Sequence, residues 1–368
     1  MRRIAMFVAA STMTLSLAGC GVLNATGSST SASPTKGNDI TVGVLMPDKI
    51  NTRYTNFDYP IMAAKIAELT NKQGKVDYQN AASSAATQAT QMRKMIDEKV
   101  DVIILDSVDA HAIAGTVKKA KAAGIPVIAY DRLAEGPIDA YVSFDNELVG
   151  EVQARTLLEG IGSNVDTSDK VVMVNGSPTD PNAKQFKTGA MSELNGKVTI
   201  ADSYDTKDWN PDIAEQEVTK AIGSLGKDNI AAVYSANDAM AGGIVKALKA
   251  AGVTEMPPIT GQDADLDAIQ RILIGEQYMT VYKPYPDEAE AAAQMAVYKV
   301  QGKDIQFDAL TQDTVDSPTN KNIPSQLVQV NAVTKSKIKD TVVADGIYKI
   351  SQICTAAYKT ACAQAGLK

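Results

Sequence analysis

Short apolar runs typical of β-strands alternate with longer helical patterns along nearly the whole chain after residue 38. Residues 100–105 hold the Val-Ile-Ile-Leu run of a strand buried on both faces, and a helical pattern over 111–123 follows it. Parallel strands need crossover connections of this length. The alternation therefore predicts an α/β protein with two doubly wound parallel-sheet lobes, which 368 residues are enough to build. The predicted strands are residues 40–46, 76–79, 100–105, 127–130, 141–144, 171–174, 198–203, 230–234, 258–260 and 279–282.

Charged and amide side chains follow several of these strands, at the point where each strand ends. They are Asp131 and Arg132 after 127–130, Asn237 after 230–234, Asp263 after 258–260, and Lys283 after 279–282. Ligands of open parallel α/β sheets bind beyond the carboxyl ends of the strands. We therefore predict a cleft for a polar ligand there. The alternative is a set of helix N-caps and surface ion pairs, and Asp238 fits it as the N-cap of a helix over 239–251.

Aromatic residues in two loops extend this polar set. Trp209, the only tryptophan, lies in a Lys-Asp-Trp-Asn-Pro loop between a strand and a helix. An indole in such a loop suits stacking on a ligand, although an ordinary core tryptophan is the alternative. Arg53 and Tyr54, just beyond the first strand, likewise pair a donor with a ring. Planar polar groups beside aromatic rings suit a sugar, which presents hydroxyls and a face of C–H groups.

The N-terminus has the pattern of a secretory signal. Arg2 and Arg3 precede an apolar stretch over 4–18, which is shorter than the roughly 20 residues of a membrane span. Residues 17–20, Leu-Ala-Gly-Cys, resemble the bacterial lipobox, in which the cysteine becomes the lipidated first residue. We predict a signal peptide over 1–19, lipidation of Cys20 and a flexible tether over 20–38, rich in Ser, Thr, Gly and Ala. The protein would then be extracytoplasmic and held at the cell membrane only by lipid.

Two further cysteines, Cys354 and Cys362, lie in the last segment. An oxidising compartment favours their pairing. On one continuous helix their Cα atoms would be about 12 Å apart, beyond the roughly 7 Å limit of a disulfide. A disulfide therefore requires the helix to break between them, and two buried free thiols are the alternative.

Composition and motifs exclude several classes of function. The net charge of −7 and a pI near 5.0 argue against nucleic acid as a partner. His111 is the only histidine and no nucleophile motif accompanies it, so a hydrolase triad is not expected. Asp263, Asp265 and Asp267 fail as a calcium loop, because Ala268 stands where the loop needs glycine. We expect no enzymatic activity, no metal and no cofactor.

Six stretches of the chain carry a family resemblance. They are IPVIAYDRL (125–133), YVSFDNELVGEVQA (141–154), NGSPTDPNAKQF (175–186), GQDADLDAIQRI (261–272), GEQYMTVYKP (275–284) and IPSQLVQVNAVTKSKIKDTVVADGIY (323–348). Together they resemble the ribose/galactose-binding family of periplasmic-type sugar-binding proteins of bacterial ABC importers. The similarity is greatest to its xylose-binding and multiple-monosaccharide-binding branch.

The resemblance implies a fold, a division into lobes and a ligand site. The fold would be that of a type I periplasmic binding protein, with three crossovers near 144–145, 282–284 and 320–324. The N-terminal lobe would take 39–144 and 284–320, the C-terminal lobe 145–283 and 321–350, and 351–368 would be an extension with the cysteine pair. Tyr54 stands where relatives usually have tryptophan, which alters one stacking surface. The implied ligand residues are Arg53, Asp131, Arg132, Asn182, Trp209, Asn237, Asp263 and Lys283, to which we add Tyr54.

The resemblance also implies a function. Two lobes would close on a monosaccharide, with xylose as the first expectation, and the closed protein would deliver it to the permease of an ABC importer. We expect a monomer. The alternative role is a lipoprotein that presents the sugar to a chemoreceptor or sensor kinase. A transcription regulator with this fold would carry an N-terminal helix-turn-helix, and a glycosidase would need paired acid and base carboxylates.

Overall fold

The computed structural model describes residues 35–367, and the predicted alternation of strands and helices is present in it. A π-helical turn over Tyr54–Asp58 precedes the first helix. The predicted strand over 127–130 matches the observed strand residue for residue. The elements up to the first lobe boundary are β1 (Thr41–Met46), α1 (Tyr59–Leu69), β2 (Lys75–Asn80), α2 (Ala85–Asp97), β3 (Val102–Leu105), α3 (Ala114–Ala122), β4 (Val127–Tyr130) and β5 (Ala140–Phe144).

The rest of the chain continues the same pattern, with short strands and helices near its end. The predicted strand over 258–260 is reduced to a single parallel bridge between Ile259 and Val233. The elements are α4 (Asn146–Ile161), β6 (Lys170–Asn175), α5 (Pro181–Leu194), β7 (Thr199–Asp205), α6 (Pro211–Leu225), β8 (Ala232–Ser235), α7 (Asp238–Ala250), α8 (Leu266–Ile274), β9 (Met279–Tyr282), α9 (Tyr285–Gln301), α10 (Asp304–Leu310), β10 (Asp313–Val315), β11 (Ile323–Val328), β12 (Asn331–Thr334), α11 (Ile350–Ile353) and α12 (Lys359–Gln364).

The strands form two main sheets. The first has seven strands in the order β10-β11-β5-β4-β3-β1-β2, and only the β10–β11 pair is antiparallel. The second has the parallel order β7-β6-β8, and β9 pairs antiparallel with β12 beside it. We call the first sheet with its helices the N-terminal lobe and the second with its helices the C-terminal lobe. This arrangement confirms the predicted α/β fold with two parallel-sheet lobes.

The chain passes between the lobes three times. The first two passages follow β5 and β9, close to the predicted positions. The third follows β11, because Ser325 to Val328 pair in parallel with β5 of the N-terminal lobe. This differs from the prediction of a passage near 320–324, which assigned residues from 321 onward to the C-terminal lobe. Helix α9 returns the chain to the N-terminal lobe and packs against α1 and the strands β3 to β5.

A break in the helix brings Cys354 and Cys362 together, as a disulfide between them requires. Helix α11 ends at Ile353, a 3₁₀ turn covers Ala356–Tyr358, and α12 begins at Lys359. The Cα atoms of Cys354 and Cys362 are consequently 5.8 Å apart and the cysteines are bonded. This segment packs on α8 in an apolar cluster that includes Cys362 and Tyr348.

Several predictions for the N-terminus lie outside the described residues. These are the signal peptide, the lipidation of Cys20 and the tether as far as residue 34. The last tether residues, 35–38, are described, and the Lys36 amide donates to the Val300 carbonyl over 2.8 Å. No helix within residues 35–367 has the length and apolarity needed to cross a membrane.

Candidate functional site

A narrow cavity lies between the lobes, beyond the carboxyl ends of their strands. Every residue of the predicted ligand set except Arg53 lines it. The lining residues are Asp48, Ile50, Asn51, Tyr54, Asp131, Arg132, Asp180, Asn182, Phe186, Trp209, Asn237, Gln262, Asp263 and Lys283.

Asp131 joins the two lobes at the cavity wall. It directly follows β4, and its carboxylate accepts a hydrogen bond from Arg53 Nη1 at 3.0 Å and one from Asn182 Nδ2 at 2.9 Å. The Nζ atom of Lys283 lies 3.7 Å away. Burial alone would raise the pKa of Asp131, but Lys283, Arg53 and Arg132 outweigh burial and lower it below its usual value. The carboxylate is therefore held ionised.

Arg53 lies behind Asp131 and does not line the cavity. Its side chain is 2% exposed, and Nε donates to Asp58 at 2.9 Å. Nη2 donates to the Tyr130 hydroxyl and to Glu288 of α9. In this position Arg53 orients Asp131, and its direct contact with a ligand stays a prediction. The π-helical turn makes this possible, because it begins immediately after Arg53 and brings Asp58 onto the same guanidinium.

Arg132 and Asp180 form an ion pair across the cleft. Arg132 Nε is 2.8 Å from Asp180 Oδ2, and both side chains are buried. Arg132 Nη1 also donates to the Ser107 carbonyl at 3.1 Å. Asp180 is the N-cap of α5, where it accepts from the Asn182 amide. The ion pair therefore links the end of β4 in one lobe to the start of α5 in the other.

Aromatic rings from both lobes face the cavity. Tyr54 comes from the N-terminal lobe, and Trp209 and Phe186 from the C-terminal lobe. The Trp209 indole donates to Asp180 at 3.2 Å and meets Phe186 edge-on, with ring centroids 6.2 Å apart. Trp209 is 7% exposed and packs with its lobe's core while also lining the cavity, and its stacking on a ligand stays a prediction.

The indole leaves no room for a side chain at Gly176. A Cβ built there would overlap the Cζ2 and Cη2 atoms of Trp209. We expect Gly176→Ala to displace the ring and to weaken binding by about tenfold if the ring stacks on the ligand. Trp209 fluorescence and calorimetry measure both effects, and Gly223→Ala, where a Cβ meets no neighbouring atom, is the control. Unchanged emission and affinity in Gly176→Ala would contradict the stacking role.

Three lining residues have backbone in the left-handed region. The φ angles are 54° at Asp131, 56° at Trp209 and 95° at Asp263. This conformation is uncommon for residues with a side chain, especially for a bulky one. Strained backbone persists where the surroundings hold it, and it concentrates at functional sites. The observation favours a functional role for the cavity.

Lys283 and Asp263 form a second ion pair of the cavity wall, next to Asp131. Lys283 Nζ is 3.0 Å from Asp263 Oδ1, and Asn51 of the other lobe donates to Asp263 Oδ2 at 3.0 Å. Burial lowers the pKa of Lys283, but Asp131 and Asp263 more than compensate and raise it above its usual value. Lys283 is therefore charged. The cleft is closed by direct contacts between the lobes.

Asn237 is the N-cap of α7, the role that we predicted for Asp238. Its Oδ1 accepts from the Met240 amide at 3.0 Å. Asp238 is the first residue of the helix and is fully buried, with its carboxylate bonded to Gln277 and Thr280. Helix α7 therefore begins at Asp238, one residue earlier than the predicted start at 239.

Sequence reasoning missed six lining residues. Asp48, Ile50 and Asn51 follow β1, and Gln262 precedes Asp263, so the strand-end rule could have found them. Asp180 precedes a proline, which is a signal for an N-cap. Phe186 lies one helical turn after Asn182 on α5, and a helical face read from Asn182 would have included it.

Comparison with known proteins places the chain in a family. A model described as the periplasmic binding protein domain matches residues 42–304. The chain is 38% identical to the D-xylose-binding periplasmic protein of Escherichia coli (strain K12) over 285 residues, which is 76% of this chain and 83% of that protein. It is 30% identical to the multiple sugar-binding periplasmic receptor ChvE of Rhizobium radiobacter over 336 residues, covering 85% and 92%.

A solved structure agrees with this placement. An ABC transporter solute-binding protein from Clostridium phytofermentans with bound β-D-glucose superposes with a TM-score of 0.77 and 28% identity. The alignment covers 85% of this chain and 99% of that one. The chain belongs to the periplasmic binding protein family, as its sequence stretches indicated.

Proposed function

We propose that this periplasmic binding protein holds a neutral monosaccharide in the cavity between its lobes and delivers it to an ABC import permease. The observation that carries the proposal is the lining itself. Aromatic rings from both lobes and buried carboxylate, amide and ammonium groups surround one small cavity. Rings suit the C–H face of a sugar, and planar polar groups suit its hydroxyls. No bond of the sugar is broken in this scheme.

The charges of the cavity favour a neutral ligand over a sugar acid or a sugar phosphate. The two lining cations already face carboxylates, since Arg132 lies beside Asp180 and Lys283 beside Asp263. The lining carboxylates are Asp48, Asp131, Asp180 and Asp263. An added anion would meet this acidic wall without an unpaired cation among the described lining residues, and it would be repelled at low dielectric.

D-xylose is the first candidate ligand. Two relatives, at 38% and 37% identity, are named D-xylose-binding periplasmic proteins. Glucose, galactose and arabinose are the next candidates, and two more distant relatives, at 30% identity, are named multiple sugar-binding proteins. Tyr54, with its hydroxyl 3.4 Å from Arg132 Nη2, is the residue that we expect to influence the choice between a pentose and a hexose.

Closure of the lobes provides the signal for delivery. Arg132 with Asp180 and Asn182 with Asp131 connect the lobes in the closed form. A sugar that contacts both lobes stabilises this form and shifts the population toward it. We propose that the closed protein, a monomer outside the cytoplasm anchored through lipid on Cys20, is the form that the permease recognises.

The test is a titration of residues 21–368 with a panel of aldoses, followed by Trp209 fluorescence and calorimetry. We expect saturable binding at one site with micromolar or tighter affinity, and chromatography should recover the sugar unchanged. A sugar phosphate and a uronic acid serve as charged controls and should bind far more weakly. If no free monosaccharide binds, the proposal is wrong, and tighter binding of the anions would overturn the argument from charge.

A further inference from the structure

Gln262 is a buried amide whose Oε1 atom has no hydrogen-bond partner among the described residues. It lies between Gly261 and Asp263 in the chain, lines the cavity and is 2% exposed. Its Oε1 atom is enclosed and accepts no hydrogen bond from any residue in 35–367. Burial of an amide without hydrogen bonds costs about 1–3 kcal/mol. A group of this kind at a cavity wall points to a partner that enters the cavity.

Two other buried glutamines have partners for both the oxygen and the nitrogen of the amide. Gln88 donates to the Asp106 carbonyl and accepts from the Val108 amide. Gln153 donates to two carbonyls and accepts from the Tyr234 hydroxyl. Gln262 is different from both, although it is equally removed from bulk solvent.

The backbone holds Gln262 in place. Its carbonyl accepts from the Asp238 amide at 3.0 Å, and the following Asp263 amide donates to the Val281 carbonyl at 2.9 Å. A Cβ built at Gly261 would overlap the carboxylate of Asp238, so the segment packs tightly against α7. The side chain therefore cannot find partners through a shift of its own segment.

We propose that Gln262 binds the ligand directly and determines which hydroxyl groups the cavity accepts, an inference that rests on the proposed function. A primary amide offers one acceptor oxygen and two donor hydrogens. Its enclosed Oε1 requires a donor, which a sugar hydroxyl supplies and an ether oxygen or a deoxy carbon does not. Gln262 thus selects a ligand with a free hydroxyl at one particular ring position.

The experiment combines one substitution with a series of ligands. Gln262→Leu keeps a side chain of similar size and removes both polar groups. Wild type and variant are titrated with the best-bound aldose and with each of its monodeoxy derivatives. We expect the variant to bind the parent sugar about 10- to 100-fold more weakly. One monodeoxy derivative should bind wild type and variant with nearly equal affinity, because it lacks the hydroxyl that Gln262 contacts.

Gln270→Leu is the matched control. Gln270 is a buried glutamine of the same lobe that donates to backbone carbonyls of Gln352 and Ile353 away from the cavity. Its substitution should leave the affinity for every sugar unchanged. Thermal unfolding checks that each variant is folded.

Three results would overturn the inference. Wild-type affinity of Gln262→Leu for the parent sugar would show that the amide makes no contact. An equal loss for the parent and all derivatives would show a purely structural role. Failure of the wild type to bind any monosaccharide would overturn the proposed function together with this inference. The first two results would overturn the role of Gln262 alone, so the two kinds of failure are distinguishable.

Discussion

Arg53→Met is expected to lower the free energy of unfolding by about 3–5 kcal/mol, because it leaves buried carboxylates without their cation. The guanidinium contacts Asp58, Asp131 and Glu288, and none of these side chains is more than 6% exposed. Methionine fills a similar volume, so the loss of stability reflects the missing charge and not an empty space left by the side chain. Urea unfolding followed by Trp209 fluorescence measures it.

Arg155→Met is the control for this prediction. Arg155 also contacts two carboxylates, Glu151 and Glu193, but its side chain is 50% exposed. We expect its loss to cost at most about 1 kcal/mol. Adding Glu288→Leu to Arg53→Met should restore part of the stability, since it removes one buried carboxyl group that has lost its hydrogen-bond partner. Equal losses in Arg53→Met and Arg155→Met would contradict the buried network.

The Arg53→Met penalty should also shrink on acidification. Burial raises the pKa of Asp58 to about 6 even with Arg53 beside it. A folded-state pKa above the unfolded value means that the folded protein binds the proton more tightly, so stability falls as the pH rises through about 6. Without Arg53 the pKa of Asp58 should rise further, so the stability should fall by more between pH 5 and pH 8. Unfolding at pH 5 and pH 8 therefore provides a second measurement, and an equal penalty at both pH values would contradict the explanation.

The sequence was sufficient for the fold because local pattern and tertiary environment agree there. The predicted strands over 127–130 and 279–282 are β4 and β9, and both are fully buried apolar runs that end at a polar residue. The same strand ends place Asp131 and Lys283 at the cavity. Where a charged residue directly follows a buried apolar run, burial of the run predicts both that a strand forms and where it ends.

The sequence was insufficient where distant segments decide the outcome. Arg53 pairs with Glu288, 235 positions away along the chain, and no local pattern predicts that contact. Ser325 to Val328 joins the N-terminal lobe through pairing with β5, although its own composition would suit either lobe. The run over 258–260 is too short to decide between a strand and the single bridge that Ile259 forms.

Asp131→Ala is expected to reduce sugar affinity by at least about 30-fold, which corresponds to about 2 kcal/mol or more. Its carboxylate is bonded to Arg53 in one lobe and to Asn182 in the other, so its loss weakens both the cavity wall and closure. It also leaves Lys283 and Arg53 with one carboxylate fewer in a buried site. Calorimetric titration with the best-bound aldose measures the loss.

Asp131→Asn separates charge from shape, because the amide keeps the size and planarity of the carboxylate. It cannot offer two acceptor oxygens to Asn182 and Arg53 together, so we expect an affinity between those of wild type and Asp131→Ala. Asp316→Asn, an exposed aspartate of the same lobe that pairs with Lys321, should bind as wild type does. If Asp131→Asn retained full affinity, the ionised carboxylate would be unnecessary, and the charge balance of the cavity could no longer explain its preference for a neutral ligand.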